Sequence, residues 1–291
     1  MSISRQNLSI VIVTLKSENV IHQCIKSLNQ DLPIIVVENS NNLNFKKDLE
    51  SKYKNLKCIL SKSNLGMGSA NNIGINLAET NYVLLLNPDV TLQPDTLDKI
   101  FLASKELSEF AILSPISDNN NYPNYGMINK KEKFLTTENS FKVDYVDGYA
   151  MLLNKSQFND KTFFDENIFL YLENNDLCLR VKRKGGSIFV ITKAKINHSG
   201  SKAVDLKFKN EVEFSRNWHW VWSKFYFNKK NFGFFKAVKE CLLIYLSALI
   251  KLIFYFIIGN KFKRKIYYNR ASGFYNSLLG KSSWYRPNLK D

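Results

Sequence analysis

The sequence is poor in three things. It has only four cysteines in 291 residues, Cys24, Cys58, Cys178 and Cys241. No pair has metal-site or redox spacing, and each lies in an apolar or amphipathic run. A disulfide framework is thereby excluded, and buried free thiols in a reducing compartment account for all four. The opening residues, MSISRQNLSIVIVT, lack the basic start, long apolar core and cleavage site of a secretory leader. They run straight into a strand, so the expectation is a chain that stays on the cytoplasmic side. Acid is scarce near the C-terminus: between Lys224 and Arg270, eleven Lys/Arg stand against one acid, Glu240. The whole chain carries a formal net charge of +15 with a pI near 9.5. Such a balance implies an anionic partner, whether nucleic acid, an anionic membrane or a phosphorylated substrate. A hydrophobic content of 45% with 13% aromatics excludes a disordered chain. The length suits one large α/β domain with an appendage, or two modest domains.

The pattern that organises the chain is YVLLLNPD, residues 82–89. A short apolar run closed by proline reads as a buried strand that stops at Pro88, which cannot donate to a sheet. Asp89 then falls just past the C-terminal edge of a parallel sheet, where open α/β sheets bind ligands. A carboxylate there can hold a hard divalent cation under a diphosphate. From this stretch alone, an acid in an ordinary strand-to-helix turn explains Asp89 as well. Around it, strands are expected at 8–14, 33–38, 58–60, 82–86 and 111–113. Helices are expected at 17–28, with Ser17 as N-cap, and at 45–53, 69–79 and 95–107. This alternation predicts a mostly parallel, Rossmann-like sheet with helices on both faces and right-handed crossovers. Further along, 117–139 reads as a long Asn-rich loop and 143–153 as a strand bent at Asp147-Gly148. A helix over 172–184 ends at Gly185-Gly186, a last strand covers 187–191, and His198 falls in a loop over 194–201.

Past residue 205 the texture changes. Trp218, Trp220, Trp222, Phe225, Tyr226 and Phe227 crowd among basic residues, and 241–258 is nearly all apolar except Lys251. Eighteen residues are near the lower limit for a membrane span, and a central lysine makes spanning costly. Lys236 and Lys239 precede the run, and Lys261, Lys263, Arg264 and Lys265 follow it. An amphipathic helix lying on an anionic membrane surface fits this pattern. Helices packed on the rest of the chain, or on a second subunit of a homodimer, are the alternative. Nucleic-acid binding by the basic tail fits less well, because the charges flank an apolar run and no nucleic-acid motif is present. The expected division is 1–215 for the catalytic domain and 216–291 for the basic, aromatic tail.

Seven motifs occur in a fixed order: VIVT, VVENS, NLGMGSANNIG, LLLNPD, VDGYAMLL, FFDENIFLYLENNDLCLR and INHSGS. Together they resemble family-2 nucleotide-sugar glycosyltransferases of the GT-A fold, close to the rhamnosyltransferase-like branch, over about residues 8–201. The resemblance implies donor contacts at Thr14, Glu38, Asn64, Gly66, Asn71, Asn87, Asp89, Asp147 and Gly148. Glu38 stands where Asp is commoner, at the nucleobase. The Asp-x-Asp of the family appears here as Asn87-Pro88-Asp89, leaving one strong oxygen ligand for Mn²⁺ or Mg²⁺, with His198 implied as the second. The family motif for the catalytic base, Glu-Asp-x-Asp, reads Glu173-Asn174-Asn175-Asp176. An amide cannot accept a proton, so Asn174 fills the usual position of the base without its chemistry. Glu173 and Asp176 share a helix face, and Asp176 stands four residues before Arg180. Glu173 is therefore the favoured base and Asp176 the structural acid; a base elsewhere, or weak or lost activity, stays open. The implied reaction is inverting transfer of a sugar, with rhamnose among the candidates, from a dTDP- or UDP-sugar. The implied acceptor is a polyprenyl-diphosphate-linked saccharide at the inner face of the cytoplasmic membrane, in the assembly of a bacterial surface polysaccharide such as O-antigen. A sugar-nucleotide binder without turnover is the alternative.

Overall fold

The computed structural model describes residues 3–28, 31–107, 109–119, 123–127, 135–158, 162–200 and 203–289. The elements run β1 (Leu8–Thr14), α1 (Ile21–Lys26), β2 (Ile34–Glu38), α2 (Leu43–Lys52), β3 (Leu56–Leu60), α3 (Met67–Leu77), β4 (Tyr82–Leu86), β5 (Val90–Leu92), α4 (Thr96–Glu106) and β6 (Ile112–Ser117). They continue with β7 (Tyr125–Gly126), β8 (Leu135–Thr137), β9 (Ser140–Lys142), β10 (Tyr145–Val146), β11 (Ala150–Asn154), α5 (Glu173–Arg183), β12 (Ile188–His198), α6 (Lys209–Phe232), α7 (Phe234–Ile257) and α8 (Lys261–Leu278). Contacts divide the chain into two compact units. One holds Met1–Leu65, Ser69–Asp165 and Asn174–Asp205; the other holds Gly66–Gly68, Glu166–Glu173 and Leu206–Asp291.

The first unit is built on a sheet of order β3-β2-β1-β4-β11-β6-β12-β9-β8, with β5 paired to β12. Strands β1 to β4 are mutually parallel, as is β6 with β12, while β11 runs antiparallel between β4 and β6. Continuous apolar runs explain why β1, β2 and β4 are buried along their whole length. Alternate residues then serve opposite faces. Ile10, Ile12, Ile34, Val36, Leu84 and Leu86 share a core with Ile21, Phe45 and Ile100 of α1, α2 and α4. On the other face α3 lies so close that a Cβ on Gly74 would collide with Val11.

Four expectations are corrected. Helix α1 is shorter than 17–28, and Ser17 does not cap it: its Oγ accepts from Leu15 N at 3.0 Å and donates to Ala203 O at 2.6 Å. The stretch 143–153 is two strands in different sheets, because Asp147 N turns away to Asn124 O at 2.8 Å. The loop expected over 194–201 is mostly strand, since β12 passes an irregularity between Ile191 and Lys195 and continues to His198 against β5. Part of the long loop is also strand, β7 and β8; its residues 120–122 and 128–134 lie outside the described residues. All four cysteines are buried and free, and burial pushes the Cys24, Cys58 and Cys178 thiols up to about 12.

The second unit is built on α6, α7 and α8, which pack pairwise. Trp218 is fully buried and its indole N–H donates to Ser272 Oγ at 3.1 Å. A Cβ on Gly273 would strike the Trp218 carbonyl, so glycine is what lets α8 approach α6 so closely. Of α7 only Ala237, Cys241 and Ala248 are buried. Phe235, Leu243, Ile250 and Ile257 are 87%, 76%, 70% and 75% exposed, far beyond ordinary scattered surface apolars. By length and composition α7 could cross a membrane.

Candidate active site

The parallel strands end together at one edge of the first unit. Thr14, closing β1, lies beside Glu38, closing β2, and Asn87 follows β4, whose Leu86 lies beside Ile12 of β1. Thr14 is fully buried and its Oγ1 has no hydrogen-bond partner. A buried hydroxyl left unpaired is costly, so an unpaired one at a strand end points to a ligand partner. Glu38 is also buried, and burial raises its carboxyl above the usual range, while hydrogen bonds from Ser40 Oγ and Ser40 N pull the other way. Asn39, which the sequence reading passed over, accepts from Ser61 Oγ at 3.1 Å and so ties this edge to the loop after β3.

The next part of the edge is built from Asn87-Pro88-Asp89. Asn87 N donates to Tyr149 O at 2.9 Å, fixing the turn after β4. Asp89 is buried, and Ser199 N donates to its carbonyl at 3.1 Å. The antiparallel pairing of β5 with β12 sets His198 opposite Val90, so His198 Nε2 comes within 3.4 Å of Asp89 Oδ1. Tyr149 stacks on the His198 ring at 4.0 Å between centroids. Sequence reading missed Tyr149 because an aromatic leading into a buried strand looks like core. Burial raises the Asp147 carboxyl, opposed by the charge of the nearby His198 ring. A Cβ on Gly148 would lie 3.4 Å from Asn174 Cβ, an ordinary van der Waals contact, so this bend packs against the start of α5.

Asp89 and His198 fit a divalent cation in chemistry and proximity: one hard oxygen, one imidazole nitrogen, converging at a strand edge. Among the described residues no group of three His, Cys, Asp or Glu could hold a metal alone. Two protein donors leave coordination positions for phosphate oxygens and water, the usual arrangement at nucleotide sites.

Helix α5 carries the remaining acids. Asn174 is buried and its Nδ2 donates to Val146 O at 2.8 Å, holding β10. Asp176 is fully buried and accepts from Arg180 Nε at 2.9 Å; Arg180 also donates to Thr162 O at 3.1 Å and to Phe163 O. Within the second unit, Tyr171 and Leu172 both have φ of +69°. Two consecutive non-glycine residues in the left-handed region cost about 1–3 kcal/mol each, a strain that clusters at functional sites. Next to them Glu173 has its Oε2 buried without a partner, although the residue as a whole is partly exposed. Burial pushes its carboxyl up to about 7. Gly66 has φ of +82°, and a Cβ there would collide with the Phe169 carbonyl, which accepts from Met67 N at 3.0 Å. Asn64 is half-buried and Asn71 buried, while Asn72 exchanges two 2.9 Å hydrogen bonds with the Phe164 backbone.

Asn174→Asp is expected to place an anionic oxygen against the Val146 carbonyl. It should lower unfolding stability by about 1–3 kcal/mol in urea titrations without raising turnover. A tenfold gain in turnover would instead make position 174 the seat of the base.

The sheet order, with an acid following the β4 turn, defines a GT-A fold. Residues 9–162, more than half of the chain, match the profile of glycosyl transferase family 2, and the chain belongs to that family. The low-salt glycan biosynthesis hexosyltransferase Agl10 of Haloferax volcanii is 27% identical over 198 residues. That match covers 62% of this chain and spans 64% of the Agl10 length. Rhamnosyltransferase WbbL of Escherichia coli K12 is 28% identical over 207 residues, 60% of this chain and 77% of WbbL. Among solved structures, the mannosyltransferase PcManGT of Pyrobaculum calidifontis, in complex with GDP-Man and Mn²⁺, superposes with a TM-score of 0.56. Its identity is 11%, with 95% of this chain and 88% of that one covered, a likeness of fold alone.

Proposed function

We propose that this chain is an inverting glycosyltransferase that moves a sugar from a nucleoside-diphosphate sugar to a lipid-linked saccharide. The donor is dTDP- or UDP-linked, with rhamnose the first sugar to test. The observation that carries this reading is the Asp89–His198 pair, 3.4 Å apart at the strand edge that also holds the unpaired Thr14 hydroxyl. In this reading residues 1–215 are catalytic and 216–291 serve membrane and acceptor. Thr14, Glu38, Asn64, Gly66 and Asn71 hold the nucleotide; Asn87, Asp147 and Gly148 line the donor sugar. Asp89 and His198 would hold Mn²⁺ or Mg²⁺, whose contribution is to neutralise charge on the departing diphosphate. Glu173 takes the proton of the acceptor hydroxyl as that oxygen attacks the anomeric carbon from the face opposite the nucleotide. General-base help of this kind is worth about 10²–10⁴-fold. Asp176 keeps α5 in place through Arg180.

The exposed apolar face of α7 and the lysines around it support docking on an anionic membrane surface. Lys251 Nζ lies 5.3 Å from the Tyr267 ring centre of α8, a cation–π contact at the helix pair. The protein is thus read as peripheral at the cytoplasmic face, in surface polysaccharide assembly. The relatives named as a hexosyltransferase and a rhamnosyltransferase support the reaction class.

The test is nucleotide release from a panel of UDP-, dTDP- and GDP-sugars with a lipid-linked acceptor, in Mn²⁺ and in EDTA. Metal-dependent release of one nucleotide is expected. Donor binding with no release from any donor would mean a sugar-nucleotide binder. Flotation with phosphatidylglycerol vesicles is expected for the wild type. Failure to float, combined with a dimer in sedimentation, would assign the α7 face to a second copy.

A further inference from the structure

The second unit holds a cleft that the proposed reaction does not use. It is about 440 Å³ in volume and lies where the C-terminal ends of α6 and α8 meet. Its walls include Trp222, Tyr226, Lys229 and Lys230 from α6, Lys281 just past α8, and Asn167. Among the described residues, no carboxylate lines it.

The cleft is built rather than incidental. Trp222 Nε1 donates to Lys281 O at 3.0 Å, and Ser277 Oγ donates to Trp222 O at 3.2 Å, tying the two helix ends together. Ser283 Oγ donates to Asn167 O at 2.8 Å and secures the third wall. Trp222 and Tyr226 stack 5.0 Å apart and nearly parallel, at 13°, giving an apolar wall beside the ammonium groups. Lys229 and Lys230 in the last turn of α6 also offset its dipole. That role explains neither Lys281 nor the aromatic wall.

We propose that this cleft binds a phosphate-bearing ligand. A diphosphate or phosphodiester anion sits on Lys229, Lys230 and Lys281, and its carbon skeleton lies against the Trp222–Tyr226 wall. Ammonium groups bind phosphate as point charges, and a concave site with low-dielectric walls strengthens that attraction. Taking the ligand to be the acceptor rests on the transferase reading; the anion site itself does not.

The probe is inorganic pyrophosphate, titrated calorimetrically into the full chain in EDTA, which suppresses any metal-dependent donor site. The wild type is expected to bind, with affinity falling as salt rises. Lys229→Glu/Lys281→Glu should weaken binding at least tenfold, Lys229→Gln/Lys281→Gln several-fold, and the exposed Lys54→Glu not at all. The Gln pair keeps the test valid should charge reversal disturb folding. Vesicles containing phosphatidic acid or phosphatidylglycerol distinguish the source. Loss of vesicle binding in the double variants marks a lipid-borne phosphate, and unchanged vesicle binding beside lost pyrophosphate binding marks a soluble one. No pyrophosphate binding by the wild type, or equal binding by both double variants, overturns the proposal. Metal-dependent donor hydrolysis by water should persist in the double variants. Its absence already in the wild type would sink the transferase reading while leaving the pyrophosphate result standing.

Discussion

Asp89→Asn is expected to lower nucleotide release by about 10²–10³-fold while leaving the fold nearly as stable as the wild type. The reason lies in how Asp89 is held. Its carbonyl takes the Ser199 N–H at 3.1 Å, a backbone bond that any side chain preserves. Its carboxylate, by contrast, faces His198 Nε2 at 3.4 Å on the ligand edge. The amide keeps the shape and removes the charge, so the loss is electrostatic and should appear in kcat more than in donor KM. Asp89→Ala should behave alike, with EDTA adding nothing further to either variant. Activity within threefold of the wild type in Asp89→Asn would remove Asp89 from the site.

The second large effect is expected at Glu173. Burial holds its carboxyl at about 7. A general base works only when deprotonated, so turnover should rise with pH through about 7 and level off above it. Glu173→Gln should cut kcat by about 10²–10⁴-fold and abolish that pH dependence. Stability supplies an independent readout. The folded value lies above the ordinary carboxylate value, so the folded state binds the proton more tightly than the unfolded one. Stability is therefore greatest below the unfolded value and declines as pH rises from there to about 7. Glu173→Gln removes that penalty, on the order of 3 kcal/mol, and should raise the unfolding temperature most clearly at pH 8. Full activity in Glu173→Gln would pass the role of base to Asp176 or to another acid.

Much of the sheet was legible from local pattern. The apolar run before Asn87 is β4 residue for residue, Tyr82–Leu86, because Pro88 has no N–H with which to extend that ladder. Helices α3, α4 and α5 fall within a residue or two of their apolar periodicity and caps. Strand β5 was missed, since Val90–Leu92 is too short to show a period. Without β5 the far end of β12 has no partner visible in the sequence, which is why a loop is expected at His198. The strained turn before α5 was equally hidden. Tyr171 and Leu172 prefer other backbone regions, and only the surrounding structure holds them at φ of +69°.

What the sequence alone determined is the alternation of β1–β4 with α1–α4, the helix α5, the carboxylate at the end of β4, and the apolar run that becomes α7. These follow from backbone preferences and hydrophobic periods that act over a few residues. What only the tertiary structure decided is who meets whom. Pairing of β5 with β12 brings His198 to Asp89. Packing commits the Asn174 amide to the Val146 carbonyl and buries Glu173 Oε2. Those outcomes depend on contacts between segments far apart in the chain, and on the desolvation that packing imposes, neither of which is written in any single stretch of residues.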